Sequence, residues 1–232
     1  MSDTAIILVG GRGTRLGSLT EQTPKPLLSV AGRPFLFHVL DYLIQQQIQK
    51  VILATGYLAG EFEQALGSKY LGVSLSYSHE VDPLGTGGAI ALALASSAGA
   101  SEVFVLNGDT YFPVDLTELS KVHASRRASL SMVLRHIPDV SRYGHITAAQ
   151  DIVTAMYEKG TSGPGLINGG IYLINRAAFL ADAPSTNFSL ERELLPRWIP
   201  RQTVACTVAE SYFIDIGVPA DLARAQRELA RR

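Results

Sequence analysis

The sequence predicts an α/β fold, with a mostly parallel central sheet that carries helices on both faces. Three observations favour this class. Short β-type runs alternate with helix-type segments in the first half, several of those runs are apolar at nearly every position, and closely spaced strand candidates fill the second half. Uniformly apolar runs are typical of strands buried on both faces. A chain of 232 residues is long enough to bury a full core.

The first half supplies the predicted βαβ units. Strands are predicted over residues 5–9, 51–54, 73–77 and 103–106, and helices over 34–48, 58–66, 88–97 and 116–125. Residues 73–77 alternate between apolar and polar, which indicates a half-exposed strand. Pro34 stands where a first helical residue is expected, a position that tolerates proline.

The second half predicts a different arrangement of strands. Strand candidates lie at 130–136, 145–147, 152–157 and 166–174, and they are followed by helices at 190–198 and 219–229 with a strand at 204–208 between them. The close spacing is typical of an antiparallel meander. We therefore expect one domain over residues 1–232, in which 1–128 form the parallel part and 129–232 form an antiparallel lobe with the closing helices.

Composition and charge exclude several classes of protein. The apolar fraction of 47% excludes a disordered chain, and the net charge of −1 offers no field for a nucleic-acid backbone. No apolar run reaches the length of a membrane span, and the short, acidic start is unlike a signal peptide. The single cysteine, Cys206, fits a reducing compartment. We expect a cytoplasmic protein without nucleic-acid or membrane partners, and a homo-oligomer stays open.

The strongest local signal is the glycine-rich stretch at residues 10–16, directly after the first predicted strand. Glycines let backbone N–H groups converge on a phosphate, because no Cβ blocks the approach. Leu16 stands where a dinucleotide-binding loop needs glycine or alanine, and no P-loop motif is present. Arg15 lies inside the loop, and Lys25 follows between two prolines that stiffen the backbone. The alternatives are a tight turn and a solvated surface lysine.

These residues resemble the signature of the sugar-1-phosphate nucleotidyltransferases. The resemblance continues in five ordered blocks, at residues 82–89, 106–110, 142–144, 168–172 and 215–219. Within that family, residues 165–173 and 212–219 look most like the guanylyltransferases of D-glycero-D-manno-heptose 1-phosphate. The resemblance implies a Rossmann-like fold of the nucleotide-diphospho-sugar transferase type, with residues 129–232 as a sugar-binding lobe.

The implied reaction joins a sugar 1-phosphate to the α-phosphorus of a nucleoside triphosphate and expels pyrophosphate. Because two polyanions must meet, cations are needed where charge develops. The resemblance assigns the catalytic roles to Arg15, Lys25 and Asp109, and it assigns Mg²⁺ to Asp109 and Asp215. Both acids follow apolar runs, where carboxylates reach the edge of the sheet. The alternatives are a turn residue at Asp109 and a helix cap at Asp215.

Nucleotide binding is expected at a set of mostly small residues. The set is Gly10, Gly11, Gly13, Thr14, Arg15, Glu80, Gly85, Thr86 and Asn107. Glu80 carries the choice of base, because a carboxylate only accepts hydrogen bonds and guanine presents two adjacent N–H donors. Uracil and thymine present one donor between two acceptors. The alternative is an exposed glutamate at a strand end.

The sugar phosphate is expected at a second set of residues, which the resemblance supplies. The set is Gly144, Glu158, Lys159, Asn168 and Gly169. Glu158 would hold sugar hydroxyls, Lys159 the phosphate, and the glycines would let the sugar approach the backbone closely. Gly160 stands where the family usually has proline.

Three functions remain as hypotheses. The first is synthesis of a GDP-sugar, with GDP-heptose favoured. The second is the same chemistry with another pair of substrates, such as mannose 1-phosphate and GTP, or a hexose 1-phosphate with UTP or dTTP. The third is a non-catalytic nucleotide-binding regulator, against which the complete set of Arg15, Lys25, Asp109 and Asp215 argues.

Overall fold

The computed structural model describes residues 1–97, 99–157, 160 and 162–231. Its strands are β1 (Thr4–Leu8), β2 (Ser29–Val30), β3 (Arg33–Pro34), β4 (Lys50–Thr55), β5 (Lys69–Tyr70), β6 (Val73–His79), β7 (Glu102–Asn107), β8 (Thr110–Tyr111), β9 (Leu130–Ile137), β10 (His145–Ala149), β11 (Ile152–Tyr157), β12 (Gly165–Asn175), β13 (Val204–Val208) and β14 (Ile214–Asp215). Its α-helices are α1 (Phe35–Gln45), α2 (Ala59–Leu66), α3 (Gly85–Ser96), α4 (Leu116–Arg126), α5 (Arg176–Asp182), α6 (Leu195–Trp198) and α7 (Pro219–Leu229).

Ten strands form one sheet in the order β10-β11-β13-β9-β12-β7-β1-β4-β6-β5. The predicted parallel half is present, because β7, β1, β4 and β6 run parallel to one another. The carboxyl ends of these strands therefore meet at one edge, where open α/β sheets bind ligands.

The second half continues this sheet mostly with antiparallel pairs, as predicted, and one parallel pair departs from the predicted meander. Strand β12 pairs antiparallel with both β7 and β9, whereas β13 pairs parallel with β9. The complete sheet is therefore mixed. A register shift between Asn168 and Tyr172 lets the 11-residue β12 bend while it joins the two halves.

Some predicted element boundaries were wrong for identifiable reasons. Pro34 is extended at ψ 137° and precedes α1 instead of opening it. Helix α3 begins at Gly85, three residues before the predicted start; Gly85 has a left-handed φ of 70°, and Gly87 and Gly88 lie in the first turn. The predicted helix 190–198 is a π-helix at Leu190–Leu194 followed by α6. The sequence also left α5 and the β8–β14 ribbon unpredicted.

Two apolar layers cover the faces of the sheet. One contains Phe35 and Leu43 of α1 with Phe62 of α2, and the other contains Leu94 of α3 with Trp198 of α6. Cys206 is buried in the second layer, and burial raises the pKa of its thiol to about 11, as for a small core residue. Among the described residues, no helix is both long and apolar enough to span a bilayer.

Candidate active site

Two neighbouring cavities open at the carboxyl ends of the parallel strands. The larger has a volume of about 590 Å³ and the smaller of about 280 Å³. Asn107, the last residue of β7, lines both of them. The residues around Asn107 can therefore contact ligands in either cavity.

The structure separates the predicted site residues into two groups. The larger cavity is lined by Gly10, Gly11, Lys25, Glu80, Gly85, Thr86, Asn107 and Asp109. The smaller cavity is lined by Arg15, Asn107, Gly144, Asn168 and Asp215. Gly13, Thr14 and Gly169 lie outside both linings, and Glu158 and Lys159 lie outside the described residues.

Two carboxylates face each other where the cavities meet. The β8–β14 ribbon holds them together: Asp215 pairs with Thr110, and the Ile216 amide donates to the Asp109 carbonyl at 3.0 Å. Burial, and then the negative charge of Asp109, raise the pKa of Asp215. Two facing acids of this kind are suited to a cation between them.

Lys25 lies beside the first of these two acids, Asp109. It forms an ion pair with Oδ2 of Asp109, and its side chain is only 12% exposed. Pro24 precedes the short 3₁₀ turn Lys25–Leu27, and Pro26 is inside it, as the predicted stiffening requires. The largely buried side chain of Lys25 is therefore held by both its backbone and its counter-charge.

Arg15 lies on the other side, next to Asp215. It belongs to the 3₁₀ segment Thr14–Thr20, which Gly13 opens at a left-handed φ of 64°. A Cβ at Gly217 would lie 2.9 Å from Nη2 of Arg15 and 2.7 Å from Oδ1 of Asp215. The absence of a Cβ at Gly217 therefore leaves room for both the guanidinium and the carboxylate beside it. This places Arg15 in the smaller cavity, whereas the sequence had also assigned it to nucleotide binding.

Glu80 enters the larger cavity between two glycines. Its Oε1 lies 2.7 Å from the position of a Cβ at Gly56 and 3.0 Å from that of a Cβ at Gly10. Its Oε2 accepts a hydrogen bond from the amide of Leu84 at 3.1 Å. The carboxylate is therefore fixed in the cavity wall. Sequence reasoning missed Gly56, although it directly follows the buried strand β4.

The glycines of residues 85–88 serve a purpose that the sequence did not show. A Cβ at Gly87 would lie 2.2 Å from the ring of Phe188, and one at Gly88 would lie 2.3 Å from the carbonyl oxygen of Thr186. The amide of Gly87 also donates to the carbonyl of Phe188 at 2.9 Å. These glycines therefore admit a protein segment, while Gly85 and Thr86 line the larger cavity.

The predicted role of Gly169 is corrected in a similar way. A Cβ there would lie 2.6 Å from the ring of Phe112, so protein atoms fill the space that the sequence assigned to a sugar. Gly144 lines the smaller cavity, but its own close neighbour is the carbonyl oxygen of Tyr157, at 2.8 Å from a Cβ. Asn168 remains available as a polar side chain of that cavity.

Sequence reasoning did not assign several of the polar and aromatic side chains that line the cavities. Arg12 and Tyr57 line the larger one, with the guanidinium 5.6 Å from the ring centroid. Arg142 and Glu191 line the smaller one, and Arg142 forms an ion pair of 2.7 Å with Asp221. Arg12 lies in the glycine-rich stretch and Arg142 in the block at residues 142–144 that resembles the family, whereas no sequence motif marks Glu191.

Comparison with known proteins assigns the chain to a family. The model of the nucleotidyl transferase family matches residues 4–232. The chain belongs to the nucleotidyl transferase family. It is 41% identical over 225 residues to the D-glycero-alpha-D-manno-heptose 1-phosphate guanylyltransferase of Aneurinibacillus thermoaerophilus, with 97% of each chain covered. It is 41% identical over 218 residues to the enzyme of that name from Campylobacter jejuni, covering 94% of this chain and 96% of the other.

A solved structure of this family agrees with the fold. HddC from Yersinia pseudotuberculosis complexed with GMP-PN has a TM-score of 0.86 and 34% sequence identity, covering 97% of this chain and 99% of that one. Membership of the nucleotidyl transferase family confirms the predicted fold class and the predicted class of enzyme, a sugar 1-phosphate nucleotidyltransferase.

Proposed function

We propose that the protein transfers GMP from GTP to D-glycero-α-D-manno-heptose 1-phosphate, giving GDP-heptose and pyrophosphate. The observation that carries this proposal is the cluster of Arg15, Lys25, Asp109 and Asp215 at the junction of the two cavities. The larger cavity suits a nucleotide and the smaller one a sugar phosphate. The two guanylyltransferases described above support guanine and heptose. We place the reaction in the cytoplasm, where nucleoside triphosphates are available.

The cluster answers the main difficulty of the reaction, which is repulsion. The sugar phosphate needs no general base, because the second pKa of a phosphate monoester is about 6. Two unit charges about 4 Å apart repel by about 4 kcal/mol at an effective dielectric of about 20. Lys25 enters from the larger cavity and Arg15 from the smaller. The two cations therefore flank the place where the phosphates meet.

Asp109 and Asp215 fit a site for Mg²⁺. The evidence for the fit is that the β8–β14 ribbon holds the two acids together, and that burial and then the charge of Asp109 raise the pKa of Asp215, a repulsion that a divalent cation would relieve. Carboxylate oxygens are preferred Mg²⁺ ligands. Within the described residues no group of three or more His, Cys, Asp and Glu converges, so phosphate and water oxygens would complete the coordination. When bound, Mg²⁺ supplies charge compensation for the phosphates.

Glu80 supports guanine as the base. Its carboxylate is fixed in the wall of the larger cavity, with one hydrogen bond to Oε2 from the backbone. A carboxylate has about four acceptor sites, so both oxygens keep capacity for the N1 and N2 donors of guanine. Pyrimidine carbonyls would meet the same oxygens with repulsion.

A matrix of pyrophosphate-release assays tests this function. Four nucleoside triphosphates are combined with heptose, mannose and glucose 1-phosphates in the presence of Mg²⁺, and kcat/KM is measured for each pair. We expect the highest value for GTP with the heptose phosphate. A higher value for mannose 1-phosphate or for UTP would replace the proposed substrates. Tight GTP binding without pyrophosphate release from any pair would instead indicate a regulator.

The role of the acids is tested by Asp109→Asn. Because this change removes a carboxylate at the junction, we expect kcat to fall by at least about 100-fold. Asp115→Asn is the matched control: Asp115 caps α4 by accepting from the Thr117 amide at 2.7 Å, and asparagine caps equally well. Turnover like that of the wild type in Asp109→Asn would reject the metal assignment.

A further inference from the structure

A hydrogen-bonded path connects the walls of the two cavities. On the side of the larger cavity, the hydroxyl of Thr86 donates to Oε2 of Glu191 at 2.7 Å. The amide of Leu190 donates to the Thr86 oxygen at 3.0 Å, so the hydroxyl is oriented toward Glu191. Thr86 lines the larger cavity and Glu191 the smaller. One contact therefore joins a side chain of each wall.

The hydrogen-bonded path continues into the wall of the smaller cavity, where the direction of each hydrogen bond is fixed by its neighbours. The Gly170 amide donates to Oδ1 of Asn168 at 2.9 Å, which leaves Nδ2 to donate to the Tyr172 hydroxyl at 2.6 Å. That hydroxyl donates to Oε1 of Glu191 over a long 3.5 Å. Burial, and then the negative charge of Glu191, raise the pKa of Tyr172 well above its ordinary value, so the phenol keeps its proton.

The backbone near Glu191 is anchored to helix α3, whose first turn lines the larger cavity. It lies in the π-helix Leu190–Leu194, a geometry found often at functional sites. Phe188, three residues before Glu191, exchanges backbone hydrogen bonds with the start of α3, donating to the N-cap residue Leu84 at 3.0 Å and accepting from Gly87 at 2.9 Å. The Glu191 side chain itself contacts the first turn of α3 through its hydrogen bond from the Thr86 hydroxyl.

The two carboxylate oxygens of Glu191 are used unequally. Oε2 accepts from Thr86 and, at 3.1 Å, from Ser189, whereas Oε1 has only the long contact with Tyr172 among the described residues. An O–H···O bond of ordinary length is about 2.7–2.8 Å. Oε1 is thus the oxygen best able to accept a new hydroxyl donor in the smaller cavity.

We propose that Glu191 accepts a hydroxyl of the sugar 1-phosphate and, through Thr86, couples sugar binding to nucleotide binding. The inference rests on the proposed function, since it takes the smaller cavity as the sugar site. A sugar hydroxyl that donates to Oε1 fixes the position of the Glu191 carboxylate. In that position Oε2 accepts from Thr86 and holds Thr86 in the wall of the larger cavity. Coupling of this kind is reciprocal, so GTP strengthens binding of the sugar phosphate by the same factor.

Calorimetry with a non-hydrolysable GTP analogue tests the coupling. The Kd of the analogue is measured with and without saturating heptose 1-phosphate, in the wild type, Glu191→Gln and Thr86→Val. We expect the sugar phosphate to tighten analogue binding about tenfold in the wild type and less than about twofold in both variants. We also expect the KM for the sugar phosphate to rise about tenfold in Glu191→Gln, with a smaller change in kcat.

Two further variants separate coupling from a structural effect. Thr86→Ser keeps the hydroxyl and is expected to restore the coupling. Glu193→Gln changes an exposed acid of the same π-helix but keeps the acceptor that caps the Ser189 amide at 2.9 Å, and it should behave like the wild type. An active wild type without coupling, or coupling in Glu191→Gln and Thr86→Val as strong as in the wild type, overturns this inference alone. A wild type that releases no pyrophosphate from any pair overturns the proposed function, and the inference with it.

Discussion

The two cavities are built by different means. The larger one depends on backbone: Glu80 fits only because Gly10 and Gly56 lack side chains where it passes. The smaller one depends on side chains, among them Arg142, Asn168 and Glu191. Adding one Cβ in the first wall therefore displaces backbone or Glu80, whereas a side chain of the second wall can be exchanged while the backbone stays. Nucleotide recognition is expected to tolerate substitution poorly, and sugar recognition to be adjustable.

Among substitutions in the cavity walls, the largest effect is expected at Glu80, the residue proposed to recognise the base in the rigid wall of the larger cavity. Glu80→Gln replaces one acceptor by an N–H₂ donor, so it weakens pairing with guanine and improves pairing with pyrimidine carbonyls. We expect the ratio of kcat/KM for GTP over UTP to fall by at least about tenfold. Glu61→Gln, at an exposed position of α2, is the control. An unchanged ratio would remove Glu80 from base recognition.

The next effect concerns the close contact between α3 and residue Phe188. Gly87→Ala would place a Cβ 2.2 Å from the Phe188 ring, so we expect the free energy of unfolding in urea to fall by about 1–3 kcal/mol. Gly60→Ala is matched, because Gly60 is also helical but has no heavy atom within 4 Å of its Cβ position. That control should be neutral or stabilising by up to about 1 kcal/mol. Equal effects of the two changes would contradict the packing role of Gly87.

The smallest effect is a pH-dependent stability at the junction. Since the pKa of Asp215 is raised in the fold, the folded protein binds the Asp215 proton more tightly than the unfolded chain does. The free energy of unfolding therefore rises as pH falls through the raised pKa, and ionised Asp215 destabilises the fold above it. Without divalent metal at about pH 7, we expect Asp215→Asn to unfold at or above the Tm of the wild type, with the difference shrinking toward about pH 4.

A control of opposite sign is available at Asp182. A hydrogen bond from the Trp198 indole at 2.6 Å lowers the pKa of Asp182, with a further contribution from Arg201. Its carboxylate therefore stabilises the fold above the unfolded pKa, and this contribution is lost as pH falls. Asp182→Asn should lower Tm at about pH 7, with the deficit shrinking in acid. A Tm of Asp215→Asn below that of the wild type at about pH 7 would contradict the assigned repulsion.

Much of the fold could be predicted because its signals are local. Strand β13 and helix α7 lie at their predicted bounds, since one is a β-type run and the other an amphipathic segment opened by proline. The β8–β14 ribbon could not be predicted, because two-residue strands have no periodicity. It nevertheless brings Asp109 and Asp215 together.

The site was predictable only in part, because only some of its residues lie in local sequence motifs. Arg15 and Lys25 lie in short motifs, whereas Thr86 and Glu191 are 105 positions apart and meet only through the chain fold. The glycine-rich motifs also did not reveal whether each glycine makes room for a ligand or for protein atoms. The sequence could not tell whether the space beside Gly169 holds a ligand or the Phe112 ring.

The central claim is that the cluster at the junction serves the reacting phosphates. Single-turnover kinetics of Arg15→Gln, at saturating GTP and heptose 1-phosphate, test it most directly. We predict that the rate of the chemical step falls by at least about 100-fold, while the Kd of the GTP analogue changes by less than about threefold. A rate like that of the wild type, or a loss confined to GTP binding, would contradict the account.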